Sequence, residues 1–83
     1  MRLFLTRTFQ KNFERLPEEA RTRVKDALLK ILKDPSRGKW LQGQLKGEFS
    51  FRVGAYRIIY TLDAAGNVWI ETILRGQVSI FNF

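Results

Sequence analysis

The residues best suited to chemistry in this 83-residue chain are arginines set around one short turn: Arg52 and Arg57 flank Gly54-Ala55. Glycine at the first central position matches a two-residue type II′ hairpin, and that turn fixes the register. Val53 then faces Tyr56, Arg52 faces Arg57, Phe51 faces Ile58, Ser50 faces Ile59 and Phe49 faces Tyr60. Side chains alternate across a strand, so Ser50, Arg52, Arg57 and Ile59 share one face. Like charges held directly opposite destabilise a sheet by a few tenths to about 1 kcal/mol. An anion between them reverses that sign, and the planar guanidinium fork matches a phosphate bidentately. The ordinary alternative is that each arginine reaches Glu48 or Glu71, or extends its head into water.

The chain has no histidine and no cysteine. Ser-His-Asp and Cys-His nucleophiles, His-ligated metals, thiolate zinc sites and disulfides are thereby excluded, and no metal or small-molecule cofactor is expected. Fifteen Lys+Arg against eight Asp+Glu give a formal charge of +7, a field that attracts polyanions such as nucleic acid. The excess is concentrated mid-chain: Arg37, Lys39, Lys46, Arg52 and Arg57 stand against Glu48 alone, five bases to one acid, a local +4. Glu14, Glu18, Glu19, Asp26 and Asp34 largely offset the bases of the helical segment, five acids against the six bases from Arg15 to Lys33. No apolar run approaches the roughly 20 residues of a membrane span, so no membrane partner is expected and the compartment expected is the cytoplasm.

The elements that must position these arginines are few, and residues 1–83 are expected to form a single domain. Arg2 to Thr6 is short and β-leaning. Thr6 or Thr8 can cap a short helix with Phe9, Phe13 and Leu16 on one face. Leu16-Pro17-Glu18-Glu19 starts a longer helix, carrying Ala20, Val24, Ala27, Leu28, Ile31 and Leu32 inward and ending at Asp34-Pro35. Arg37 to Gly47 is polar and glycine-punctuated, an ordered loop anchored by Trp40, Leu41 and Leu45. Phe49–Val53, Tyr56–Leu62 and Val68–Leu74 are strands, and Gly76–Phe83 a candidate fourth. The class is α+β: an antiparallel sheet of three to four strands with two helices on one face, in the order β-α-α-β-β-β(-β).

Leu45-Lys46-Gly47, followed by Phe51-Arg52-Val53-Gly54-Ala55-Tyr56-Arg57-Ile58-Ile59-Tyr60, resembles the RelE/ParE toxin superfamily. The Phe9 to Arg21 stretch and the helix before Asp34-Pro35 are similar to the same family, so the resemblance covers nearly the whole chain. It implies a toxin of a type II toxin–antitoxin pair, held inactive by an acidic antitoxin. RelE-type members cleave mRNA on the ribosome; ParE-type members inhibit DNA gyrase. The RelE pattern implies an endoribonuclease with Arg57 foremost at the scissile phosphate, then Arg52, with Lys46 and Arg75 as further catalytic candidates. Arg37, Lys39, Lys46 and Arg52 are the expected nucleic-acid-binding bases.

The C-terminus departs from the family. Many relatives carry Arg-x-Gly-His-Arg and then a tyrosine, whereas this chain has Arg75-Gly76-Gln77-Val78 and ends Phe81-Asn82-Phe83. Phe81 and Phe83 can stack on bases or pack in a terminal strand, but neither can move a proton. Electrostatic stabilisation of a phosphorane by arginines remains available, while proton transfer, worth roughly 10²–10⁴-fold, has thin candidates in Lys46 and Glu48. A second function therefore stands beside the nuclease: a gyrase inhibitor of ParE type, or a catalytically weakened relative that acts by binding alone.

Overall fold

The computed structural model describes residues 2–40 and 47–76. β1 (Leu3–Leu5) is followed by α1 (Arg7–Glu14), α2 (Glu18–Lys33), a 3-10 turn (Pro35–Arg37), β2 (Lys39–Trp40), β3 (Glu48–Val53), β4 (Tyr56–Leu62) and β5 (Val68–Arg75). Thr6 caps α1, its hydroxyl accepting from the Phe9 N–H at 3.1 Å. α2 begins after Pro17, which supplies no side-chain cap, and places Glu18 and Glu19 in the first turn and Lys30 and Lys33 in the last. Both charge placements complement the helix dipole. Val24, Ala27, Leu28 and Ile31 form the buried stripe of α2. They meet Phe9, Phe49, Ile58, Tyr60, Val68, Ile70 and Ile73 in one core.

The α+β class and the packing of both helices on one sheet face hold, but the sheet is larger than the sequence predicts. Five strands run in the order β1-β5-β4-β3-β2. β1 pairs with β5 in parallel, Leu3 opposite Val68 and Leu5 opposite Ile70. The two intervening helices give the chain the length a parallel return requires. The stretch expected to be loop supplies β2, with Lys39 opposite Ser50 and Trp40 opposite Phe49. Trp40 sets its ring edge-on to Phe49 at 4.8 Å, and this contact explains why two residues pair inside a polar stretch. Leu41, Leu45 and the candidate fourth strand over 77–83 lie outside the described residues.

Gly54 lies at φ +57, and among the described residues no non-glycine residue has positive φ, so Ala55 does not. That is the sign pattern of a type II′ turn. The observed β3–β4 register is the expected one throughout, including Arg52 opposite Arg57. The far end of the sheet is closed by Asp63. Its carboxylate accepts from the Ala65 and Asn67 N–H groups, both at 2.9 Å, and from the Trp69 indole at 3.0 Å. These donors, the Trp69 indole first, hold the Asp63 carboxyl below its ordinary range.

Candidate nucleic-acid interface

Strand alternation and the two-residue turn together decide what the helix-free face of the sheet displays. Arg52 is exposed there and Arg57 half-buried directly across from it. Ser50, only 5% exposed, lies diagonally beside Arg57 and accepts a hydrogen bond from its Nη1 at 3.1 Å. Lys39 of β2 is opposite Ser50 and so joins the same face. Glu48 pairs with Thr61 nearer the other end. The Glu71 carboxylate is engaged by the Thr61 hydroxyl at 3.0 Å. Among the described residues Arg57 is therefore held by a neutral hydroxyl rather than by a carboxylate, and its buried Nε has no hydrogen-bond partner there. An idle buried donor costs about 1–3 kcal/mol.

The structure brings together Arg52, Arg57 and Lys39 and adds Ser50, whose role was readable from the register: it is Arg57's diagonal neighbour. It does not bring Arg75 to them. Arg75 pairs with Tyr56, and Tyr56 belongs to the helix-packed face, so Arg75 emerges on the opposite side of the sheet. A bulge between Ile59 and Tyr60 in the β4–β5 register sets that outcome, and it cannot be counted from the sequence. Exposed Leu74 stands opposite Arg57 in its place. Arg37 ends the 3-10 turn beside Asp34. The Asp34 carboxyl is held below its ordinary range by the Ser36 hydroxyl and N–H above all, with Arg37 a lesser contributor. Lys46, Phe81 and Phe83 lie outside the described residues.

Tyr60 anchors the base of the site. Its ring is fully buried and stacks on Phe49 at 5.2 Å. Its hydroxyl donates to the Pro35 carbonyl at 2.6 Å and accepts from the Gly38 N–H at 2.9 Å. A Cβ on Gly38 would come within 2.3 Å of that hydroxyl oxygen, so glycine is required for the approach. The 3-10 turn and β2, with Lys39, are thus fixed to β4 from below. Among the described residues no group of three or more acidic, histidine or cysteine side chains could hold a metal, and no helix is long and apolar enough to cross a membrane.

Comparison with known proteins agrees with this architecture. A chain of the RelBE2 toxin–antitoxin complex from Mycobacterium tuberculosis superposes with a TM-score of 0.82 at 28% identity, covering 89% of this chain and 95% of that one. The isolated RelE toxin of E. coli gives a TM-score of 0.77 at 18% identity, covering 92% of this chain and 84% of that one. The archaeal RelE–RelB complex from Pyrococcus horikoshii gives 0.73 at 22% identity, with 89% and 92% covered. A search of curated proteins finds no match. The family model for the ParE toxin of type II toxin–antitoxin systems, parDE, matches residues 3–79. Spanning nearly the whole sequence, that match makes the chain a member of the ParE toxin family of type II toxin–antitoxin systems, built on the fold shared by RelE and ParE toxins.

Proposed function

We propose that this toxin is a RelE-like, ribosome-dependent mRNA endonuclease that inhibits translation in the cytoplasm and is silenced by an acidic antitoxin. The observation that carries the reading is the Arg52–Arg57 pair with its unsatisfied Nε. Two opposed guanidiniums held by one neutral hydroxyl have more donors than partners, and a phosphate drawing Arg57 outward supplies the missing acceptors. In this mechanism the 2′-hydroxyl of the RNA gives its proton to water and attacks the adjacent phosphorus, the bond to the 5′-oxygen breaks, and that oxygen leaves with a proton from water, so the upstream fragment ends in a 2′,3′-cyclic phosphate. The two arginines stabilise the charge that develops on the phosphorane, and Lys39 and Lys46 hold flanking phosphates. With no histidine in the chain, the protein's contribution is mainly electrostatic and positional. The ribosome supplies the in-line arrangement of the mRNA.

The family model's own description, a ParE toxin, favours a second reading in which the same surface binds and inhibits gyrase without catalysis. Primer-extension mapping of cellular mRNA after induced expression separates the two. Codon-linked cuts appearing with growth arrest are expected. A DNA-damage response with uncut mRNA sinks the nuclease reading and leaves the gyrase one.

A further inference from the structure

The helix-free face of the sheet has a second end, where the side chains differ in kind from those around Arg57. One row across the strands runs Phe4, Trp69, Thr61, Glu48, each residue opposite the next. Phe4 and Trp69 stack with ring centroids 4.6 Å apart. The Asp63 carboxylate accepts from the Trp69 indole N–H at 3.0 Å and is itself held by the Ala65 and Asn67 N–H groups. The indole is thus fixed along one edge and backed by Phe4, yet Trp69 remains 37% exposed. Phe4 covers the ring face toward β1, which leaves the face toward β4, where the row holds a short threonine. A ring held in this way has already lost the rotamer freedom that binding would otherwise have to remove.

The charges around the row decide what fits it. Glu48 ends the row, and the Glu71 carboxylate lies at Thr61, accepting from its hydroxyl at 3.0 Å. A phosphate is repelled there, whereas a base edge carrying N–H donors is not. Cations stand beyond the row on both sides. The Arg2 carbonyl accepts from the Val68 N–H at 2.8 Å, so the alternation of β1 reaches back to Arg2 and sets it on the face of Phe4. Arg57 lies four residues before Thr61 on β4, roughly 13 Å at a strand's rise. A few nucleotides of single strand cover that distance. We propose that Trp69, backed by Phe4, is a stacking shelf for one unpaired base of the RNA whose phosphate lies at Arg52 and Arg57, with Glu48 and Glu71 favouring guanine over uracil. The inference rests on the RNA reading given above and adds a base subsite to its phosphate site. Aromatic shelves beside basic tracks are how single strands are held. Guanine offers the larger ring and two adjacent N–H donors for a carboxylate, while uracil offers one N–H between two carbonyls.

The test follows amide and indole N–H signals of the ¹⁵N-labelled full chain, made by cell-free synthesis, with three probes. These are a 2′-O-methyl tetranucleotide of alternating guanine and uracil, its all-uracil counterpart, and tripolyphosphate. The 2′-O-methyl groups remove the nucleophile, so nothing is cut. The guanine-bearing probe should shift the Trp69 indole and the Phe4 and Thr61 amides together with Arg52 and Arg57, and should bind more tightly than the all-uracil one. Tripolyphosphate should shift Arg52 and Arg57 and leave Trp69 still. Trp69→Ala should weaken the guanine-bearing probe about fivefold or more, the size of one stacked base, and leave tripolyphosphate binding unchanged. Trp69→Phe should recover part of that loss, which a merely unfolded shelf would not. If the guanine-bearing probe shifts Arg52 and Arg57 without Trp69, the shelf is overturned and the phosphate site stands. If it shifts neither, the RNA reading falls and the shelf with it. A Trp69 indole signal that moves with protein concentration alone would make this row an interface between copies and overturn the proposal. Equal binding of the two oligonucleotides overturns the part given to Glu48 and Glu71.

Discussion

The two faces of the β3–β4 hairpin are made by the same few residues in alternation and are opposite in kind. Toward the helices stand Phe49, Phe51, Val53, Tyr56, Ile58 and Tyr60, joined to one core; away from them stand Ser50, Arg52, Arg57 and Ile59. The first face is apolar, with its one fully buried hydroxyl supplied with a donor and an acceptor. The second opposes two positive charges and leaves a buried Nε unpaired. Stability alone accounts for the first arrangement and not for the second. Neighbouring residues on one strand should therefore respond to substitution in opposite ways, Ile58 through folding and Arg57 through activity.

The largest effect is expected on the core face. Ile58 is fully buried, so Ile58→Ala should cost about 2–5 kcal/mol, a large share of the total stability of so small a domain. Urea unfolding monitored by circular dichroism measures it. A loss below about 1 kcal/mol would mean that this face does not carry the core.

Next is Arg57→Ala, where activity should fall about 10²–10³-fold, as when one oxyanion donor is removed. The fold should stay level or gain. The change loses one hydrogen bond to Ser50, worth about 0.5–1.5 kcal/mol, and also removes the idle Nε and the repulsion with Arg52. Arg57→Lys should recover only part of the activity, because a point charge lacks the fork. Growth assays and melting curves on both variants check this. An Arg57→Ala protein that is destabilised yet fully toxic would place Arg57 outside the site.

How legible this was depends on distance along the chain. The hairpin was readable to the residue, because a glycine-led two-residue turn dictates register within one local segment, and Gly54 has the backbone angle that turn demands. The helix stripe from Val24 to Ile31 followed from its 3.6-residue spacing. What was not legible is non-local. β1 choosing the edge of β5, Trp40 drawing a two-residue strand onto Phe49, and the β4–β5 bulge all depend on packing between distant segments. The bulge mattered most for the site, since with it Arg75 stands opposite Tyr56 on the helix side, away from Arg57.

A smaller effect is expected at Tyr60, where the core face holds up the other. Tyr60→Phe leaves the Pro35 carbonyl and the Gly38 N–H without their shared partner, at a cost of about 1–3 kcal/mol. Burial, foremost, raises the Tyr60 hydroxyl above its ordinary range. The unfolded chain releases that proton near pH ~10 while the folded protein retains it. The resulting stabilisation is complete below about pH 10 and is lost as pH rises through the folded value. Stability measured from neutral to alkaline pH should fall at the top of the range in the parent and less so in Tyr60→Phe. Parallel curves would mean that the hydroxyl does not tie the 3-10 turn to β4.

The smallest effect isolates the repulsion itself. Arg52 and Arg57 are a directly opposed cross-strand pair, so each of Arg52→Ala and Arg57→Ala removes the same unfavourable term. The double variant can remove it only once. Its stability gain should therefore fall short of the sum of the single gains by about 0.2–1 kcal/mol, the size of a like-charge pair in a sheet. The shortfall should shrink at high salt, where a screening length near 3 Å at about 1 M masks partly exposed charges. Adding a phosphate-bearing oligonucleotide at low salt should favour the parent over either single variant, because a bound anion turns the repelling pair into a shared contact. Denaturation of the four proteins at two salt concentrations, with and without the oligonucleotide, reads all three expectations. Strict additivity at low salt would show that the two guanidiniums already diverge into water, and the site would then lose the physical reason for its pairing.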